Sequence, residues 1–324
     1  MPQDLMHFKI AELTARRLAD TRFAPCLAGH RSALLLGAVF HDALFYALRR
    51  GAEPLEALAH RFHCMDGEDP LDLLRMQARH AASAKDRPQA AAVLAGLAAH
   101  LFADAVLHPL VWHFTGDYYD PEPKARTLAR QRHRAMEGLM DRAACPGMLG
   151  APAYRIGRLL AECPAIAGDA VPVAGLAELA RMTEADAAVA LRAAWVLFGR
   201  IQRACAMRPL ARAFHLLRPV LPDPAREFEA LFHAPQRLGQ AGFLQGEIAY
   251  AHPVTGERAA LTLTDAMDRA AGLAANCCRE LEGAVFDGAE PAAAAPAPSM
   301  ETGLPGVPTS RMTHFAAPPF PDLS

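Results

Sequence analysis

Residues 90–112, AAAVLAGLAAHLFADAVLHPLVW, restrict the fold more than any other segment of the chain. They are apolar over almost the length of a bilayer-spanning helix, about 20 residues, yet they contain His100, Asp104 and His108. An ionisable group at mid-bilayer costs at least about 2.5 kcal/mol, and here three recur at i, i+4 and i+8. Each four-residue step turns a helix by about 400°, so the three drift by only about 40° per step and share one face. A buried helix of a soluble metalloprotein explains both the apolar flanks and the polar stripe. Imidazoles and carboxylates are costly to bury without partners, and a cation takes up their lone pairs. Pro109 predicts a kink or a helix end close to His108.

Other residues extend this pattern. His133, Glu137 and Asp141 repeat the i, i+4, i+8 spacing in RHRAMEGLMD and form a candidate second metal edge. Asp42 sits inside the apolar run LLLGAVFHDALFYA and needs a partner there. His7 on the first helix, and His60 or His63 in AHRFHCMDGEDPLDLL, complete the candidate set. Ten of the 14 histidines fall in the first 133 of 324 residues.

Composition narrows the class. The chain is 52% hydrophobic, enough for a sizeable core. Its 33 Lys+Arg balance 35 Asp+Glu, which argues against a phosphate-tracking surface, so no nucleic-acid partner is expected. Seven scattered cysteines, never spaced as Cys-x-x-Cys, argue against a disulfide framework or a thiolate zinc site. With no secretory signal or membrane span evident, the expected location is the cytoplasm.

Helical periodicity dominates. Helices are expected at 4–20, 30–50, 53–64, 86–107, 122–143, 152–163, 183–206, 208–218, 224–234 and 264–284, with entry chemistry at Asp86, at Thr183 with Asp186, and at Thr264 with Asp265. Residues 246–263 are the one segment able to hold a hairpin, turning at Thr255-Gly256. The expected fold is all-α: a compact multi-helix bundle enclosing a polynuclear metal site, with additional C-terminal helices. Residues 1–150 carry the metal domain, 151–288 complete the bundle or form a second lobe, and the Ala/Pro-rich 289–324 reads as a flexible tail.

The order His7, GAVFHD with Asp42, a His near 60–63, HLFADAVLHP and HRAMEGLMD resembles the zinc-dependent phospholipase C family over roughly residues 5–145. Its most specific element is His-x3-Asp-x3-His-Pro on an apolar helix containing Gly96. The resemblance implies two or three zinc ions. Asp42, His63, His100 and Asp104 would hold one; His108, His133 and Glu137 a second; His7 with a bridging Asp104 a third. His63 is preferred to His60 because the acidic MDGEDPLDLL stretch follows it. The chain departs from the family in two places. Secreted members of the wider group use a mature N-terminal Trp as ligand where this chain has Met1, and His41 stands where the family commonly has Pro.

Paired zincs generate hydroxide near neutral pH for in-line attack on phosphorus, with Asp42 or Glu137 orienting the water or taking its proton. By resemblance the substrate is a phospholipid or other small phosphodiester, cleaved on the glycerol side. Trp112, Phe114, Tyr118 and Tyr119 in WHFTGDYYDPEP are expected to border the cleft and touch acyl chains or a membrane surface, giving peripheral membrane contact. Three alternatives stand beside this reading. One is an HD-type phosphohydrolase using His41-Asp42. The others are a single-strand nuclease and a non-catalytic helical binding protein with a structural metal.

Overall fold

The computed structural model describes residues 4–291 and 297–316. Among these lie fifteen α-helices and one two-stranded sheet, so the molecule is all-α. The N-terminal part holds α1 (Asp4–Arg17), α2 (Phe23–Gly29), α3 (Arg31–Gly37), α4 (Phe40–Ala43), α5 (Glu53–Phe62), α6 (Asp72–Ser83), α7 (Arg87–Thr115) and α8 (Pro123–Ala144). Beyond it come α9 (Ile156–Glu162), α10 (Val173–Ala180), α11 (Glu184–Cys205), α12 (Arg208–Leu217), α13 (Asp223–Glu229), α14 (Pro235–Leu238) and α15 (Leu263–Asp287). The hairpin is present: β1 (Ile248–Ala251) pairs antiparallel with β2 (Arg258–Leu261).

α7 is the axis of the bundle, and α1, α2, α3, α6, α8 and α15 pack around it. Every residue from Ala90 to Trp112 is buried. It is the one described helix long and apolar enough to cross a bilayer, and its apolar stretch is almost wholly enclosed by protein. Fully burying a Leu or Val contributes about 1.5–3 kcal/mol, so the central helix draws its neighbours inward along its whole length. Asp86 caps its start by accepting from Gln89 N at 3.0 Å.

Several boundaries differ from the expectation, each for a local reason. α7 does not end near residue 107 but runs through Pro109 to Thr115. Proline removes one helical donor, and enclosure by neighbouring helices holds the remaining turns. The expected helix 30–50 is broken into α3, α4 and a 3-10 turn, Leu44–Tyr46. The break follows Gly37, where a Cβ would lie 2.4 Å from Val93 O of α7. The N-cap of α15 is Thr262, which accepts from Asp265 N, not Thr264. α6 and α10 stand where periodicity predicts no helix.

The region expected as a tail from residue 289 differs most. In its described part, Met300 and Thr302 are fully buried, and Thr309 N donates to Met65 O at 3.1 Å. Composition hides the cause. Gly303, at φ +69°, packs so closely on α7 that a Cβ would sit 2.7 Å from Ala105 O. That carbonyl is the one whose helical donor Pro109 removes. Residues 292–296 and 317–324 lie outside the described residues.

Candidate metal centre

Five elements deliver the polar side chains. α1 supplies His7, α4 supplies Asp42, and the C-terminal end of α5 supplies His63. α7 supplies His100, Asp104 and His108, while α8 supplies His133 and Glu137. All eight are buried. The approach of α3 to α7 depends on Gly96, where a Cβ would fall 2.2 Å from Leu34 O. This closeness places Ala38 O 2.8 Å from His100 Nδ1, and Ala59 O lies 2.6 Å from His63 Nδ1. A carbonyl only accepts, so both Nδ1 atoms donate, and both Nε2 atoms point into the site.

Asp104 is the hub. Its Oδ1 lies 3.4 Å from His7 Nε2 and 3.6 Å from His108 Nε2. Its Oδ2 lies 3.2 Å from His100 Nε2 and 3.8 Å from His63 Nε2. Asp42 Oδ1 approaches His63 Nε2 at 3.4 Å. On the other side, Glu137 Oε1 is 3.2 Å from His133 Nε2 and 3.7 Å from His108 Nε2. Ligand atoms converge in three groups, the first two sharing His100: His7, Asp42, His100; His63, His100, Asp104; and His108, His133, Glu137.

This donor set fits a metal on chemical grounds. With Nδ1 of His100 committed to a carbonyl, a neutral ring aims a lone pair at a carboxylate oxygen 3.2 Å away. Two acceptors so placed need a positive charge between them. Both oxygens of Asp42, with His100 Nε2, Asp104 Oδ2, His108 Nε2 and Glu137 Oε2, are buried without a hydrogen-bond partner. Nitrogen and carboxylate ligands in this mixture suit zinc.

Without metal, protons must supply that charge. Burial disfavours a charged His100, but Asp104 and Asp42 outweigh it and raise the ring to about 9. Burial likewise opposes charge on His108, and Asp104 and Glu301 lift it well above its ordinary value. Burial would raise Asp104, yet His108, His100 and His7 hold it well below the usual carboxylate range. His7 goes the other way, down to about 4, because burial and the neighbouring His100 outweigh the carboxylates.

The remaining sequence candidates separate. His60 stays outside these groups, with its Nε2 3.8 Å from Glu56 on α5. His41 is fully buried, stacked on His100 with centroids 4.5 Å apart, and belongs to none of the convergent groups. Burial and the adjacent His100 keep it neutral, well below its ordinary pKa. Asp141 leaves the second stripe altogether. Its two oxygens accept from Leu5 N at 3.1 Å and Met6 N at 2.9 Å, capping α1 and so fixing His7.

A cavity of about 300 Å³ opens over the site, with Asp42, His63, His108, His133 and Glu137 in its lining. Trp112, Tyr118 and Tyr119 form part of the wall. Phe114 does not; it packs half-buried on the core beside His113. Trp112 is itself buried, and its Nε1 donates to Glu301 Oε2 at 2.7 Å. The same oxygen lies 3.2 Å from His108 Nδ1, opposite the metal-facing nitrogen. Glu301 is the functional residue that sequence reasoning misses. Its one signal is a lone acid before two glycines, ETGLPG, in otherwise low-complexity chain.

The central helix of the bundle thus lines a buried histidine and carboxylate cluster under an open cavity, a candidate metal centre. Residues 6–156 match the model of the family described as zinc dependent phospholipase C, which supports assigning this part of the chain to that family. No curated protein and no solved structure matches the chain.

Proposed function

We propose that the protein is a zinc-dependent phosphodiester hydrolase of the phospholipase C type, acting on the phosphate of a phospholipid. One observation carries the reading: eight ligand-type side chains from five elements meet beneath a cavity open to solvent. A structural metal site is closed by its protein ligands, whereas a catalytic one leaves a position for water or substrate. His7, Asp42, His63, His100, Asp104, His108, His133 and Glu137 would hold two or three ions. Bound zinc would supply a Lewis acid for the phosphoryl oxygens and a water acidic enough to attack near pH 7.

The chain's own groups do the rest. Asp42 and Glu137 line the cavity, and in this reading they orient the attacking water or accept its proton. Arg130 and Arg134 bring positive charge to the cavity wall, where an anionic phosphodiester would sit. Arg130 stacks over the Tyr118 ring at 5.0 Å, and Arg134 Nη1 donates to Glu227 O at 2.8 Å. The aromatic wall offers apolar contact to the glycerol end of a lipid. An HD-type site is disfavoured, because His41 packs behind His100 and joins no ligand group.

The test is zinc analysis of purified protein beside His100→Ala and Glu137→Ala, with turnover on phospholipids, simple phosphodiesters and single-stranded nucleic acid. The expected result is at least two zincs per chain, stepwise loss in the variants, and chelator-sensitive release of phosphorylated headgroup. A folded wild type that takes up no zinc would overturn the proposal.

A further inference from the structure

Among the described residues, nine large apolar side chains are exposed, and six of them fall between 207 and 228: Met207, Leu210, Leu216, Leu217, Val220 and Phe228. Val220 is 79% exposed and Leu216 66%. α12 touches the body of the protein lightly, since Ala211 is its one buried residue. Phe214 and Phe228 join it to α13 through ring contacts on Phe232. An apolar display of this kind rarely stands free on a soluble protein without a partner.

Charge identifies the partner. Residues 189–228 contain seven arginines, of which Arg218 pairs with Glu229 and Arg226 with Asp223, although the whole chain is nearly neutral. The Glu227 carboxylate faces inward, accepting from Thr127 Oγ1 at 2.6 Å and lying 3.5 Å from Arg134. Arg208 and Arg212 on α12 are exposed, as are Arg192, Arg200 and Arg203 on α11. Those three share a helical stripe with the exposed Val189 and Val196. Aliphatic side chains beside unneutralised arginines match an anionic bilayer, whose acyl region accepts the former and whose headgroups accept the latter.

The position is also apt. α13 packs on α8, and through Glu227 it holds Arg130 and Arg134 of the cavity wall. The exposed surface therefore adjoins the metal cavity across a single helix. At the cavity itself, Leu48 is 67% exposed.

We infer that α12 and the turn after it, residues 207–220, form the surface by which the protein docks on anionic membranes. The inference rests on the phospholipase reading for its purpose, and it moves the contact with the bilayer surface from the aromatic segment 112–119, which keeps its place in the cavity wall, to α12. Trp112 is buried and hydrogen-bonded, so it has no bilayer to reach.

The experiment uses the full zinc-loaded chain and sedimentation with two kinds of vesicle, pure phosphatidylcholine and phosphatidylcholine with about a third phosphatidylglycerol. The variants are Leu216→Ser/Leu217→Ser/Val220→Ser and Arg208→Gln/Arg212→Gln. Wild type should bind the anionic vesicles, and added salt should weaken it. Each variant should bind at least about tenfold more weakly, with zinc content and turnover of a short-chain, monomeric phospholipid unchanged. Equal binding by wild type and both variants overturns the inference. So does a wild-type dimer in light scattering that the triple variant dissolves, since that assigns the surface to a second copy. Vesicle binding without any phospholipid turnover would leave the docking surface standing and remove the phospholipase reading. Turnover of monomeric lipid without vesicle binding would do the reverse.

Discussion

Two stripes with the same i, i+4, i+8 arithmetic meet different fates. On α7, His100, Asp104 and His108 all turn to one centre, and Asp104 alone faces four imidazoles. On α8, His133 and Glu137 join that centre, but Asp141 turns to the amide groups that open α1. Spacing places three groups on one face, but the neighbour opposite each turn decides what the group does. Around α7 the neighbours are ligand-bearing elements along the whole stripe. Around α8 the last turn meets a helix N-terminus, whose unpaired N–H groups want an acceptor more than a metal wants another ligand.

The largest effect should separate the stripes at their middle and end. Asp104→Ala removes the carboxylate whose two oxygens face His7, His63, His100 and His108. Metal analysis should show zinc falling to less than about half the wild-type content, and phospholipid turnover should vanish. Full zinc retention by a folded Asp104→Ala protein would break the claim that the α7 stripe is the hub.

Asp141→Ala should act through the fold instead. It strands two buried N–H groups at a cost of about 1–3 kcal/mol each, a drop of several degrees in thermal midpoint by calorimetry. Zinc should bind more weakly through the displaced His7, with the His133 and Glu137 group still loaded. If Asp141→Ala lost metal as completely as Asp104→Ala, the two stripes would be equivalent after all.

The smallest effect is a pH dependence. In the metal-free protein His100 is held from its ordinary 6.5 up to about 9. A metal needs the neutral ring, so zinc must expel that proton below about pH 9. Apparent zinc affinity should therefore rise with pH between 6.5 and about 9 and level off above it. Calorimetry in buffers of different ionisation enthalpy should show proton release across this window, and its absence would mean that the α7 stripe holds no shared proton.

Much of the site was legible because it is local. Helical register alone aligned the three α7 groups, and the buried Asp42 advertised its need for a partner. What escaped depends on long-range packing. Asp141 looks like a ligand until α1 docks against it. Asp42 reaches the interior only because the chain breaks after Gly37. Glu301 sits in Ala/Pro-rich composition that carries no periodicity, and it is seated by a proline and a glycine on two distant segments. The hairpin at 248–261 was visible from a Thr-Gly turn; α6, which follows an acidic, proline-containing stretch, and the eight-residue, mostly apolar α10 were not.

The seat of Glu301 also sets an order of assembly during synthesis. By residue 137 a growing chain carries all eight side chains that converge on the centre, and by residue 287 it carries every described helix of the bundle. The wall made by residues 299–303 emerges last. A chain cut short between 287 and 301 would keep all eight converging side chains but leave Trp112 without its acceptor Glu301.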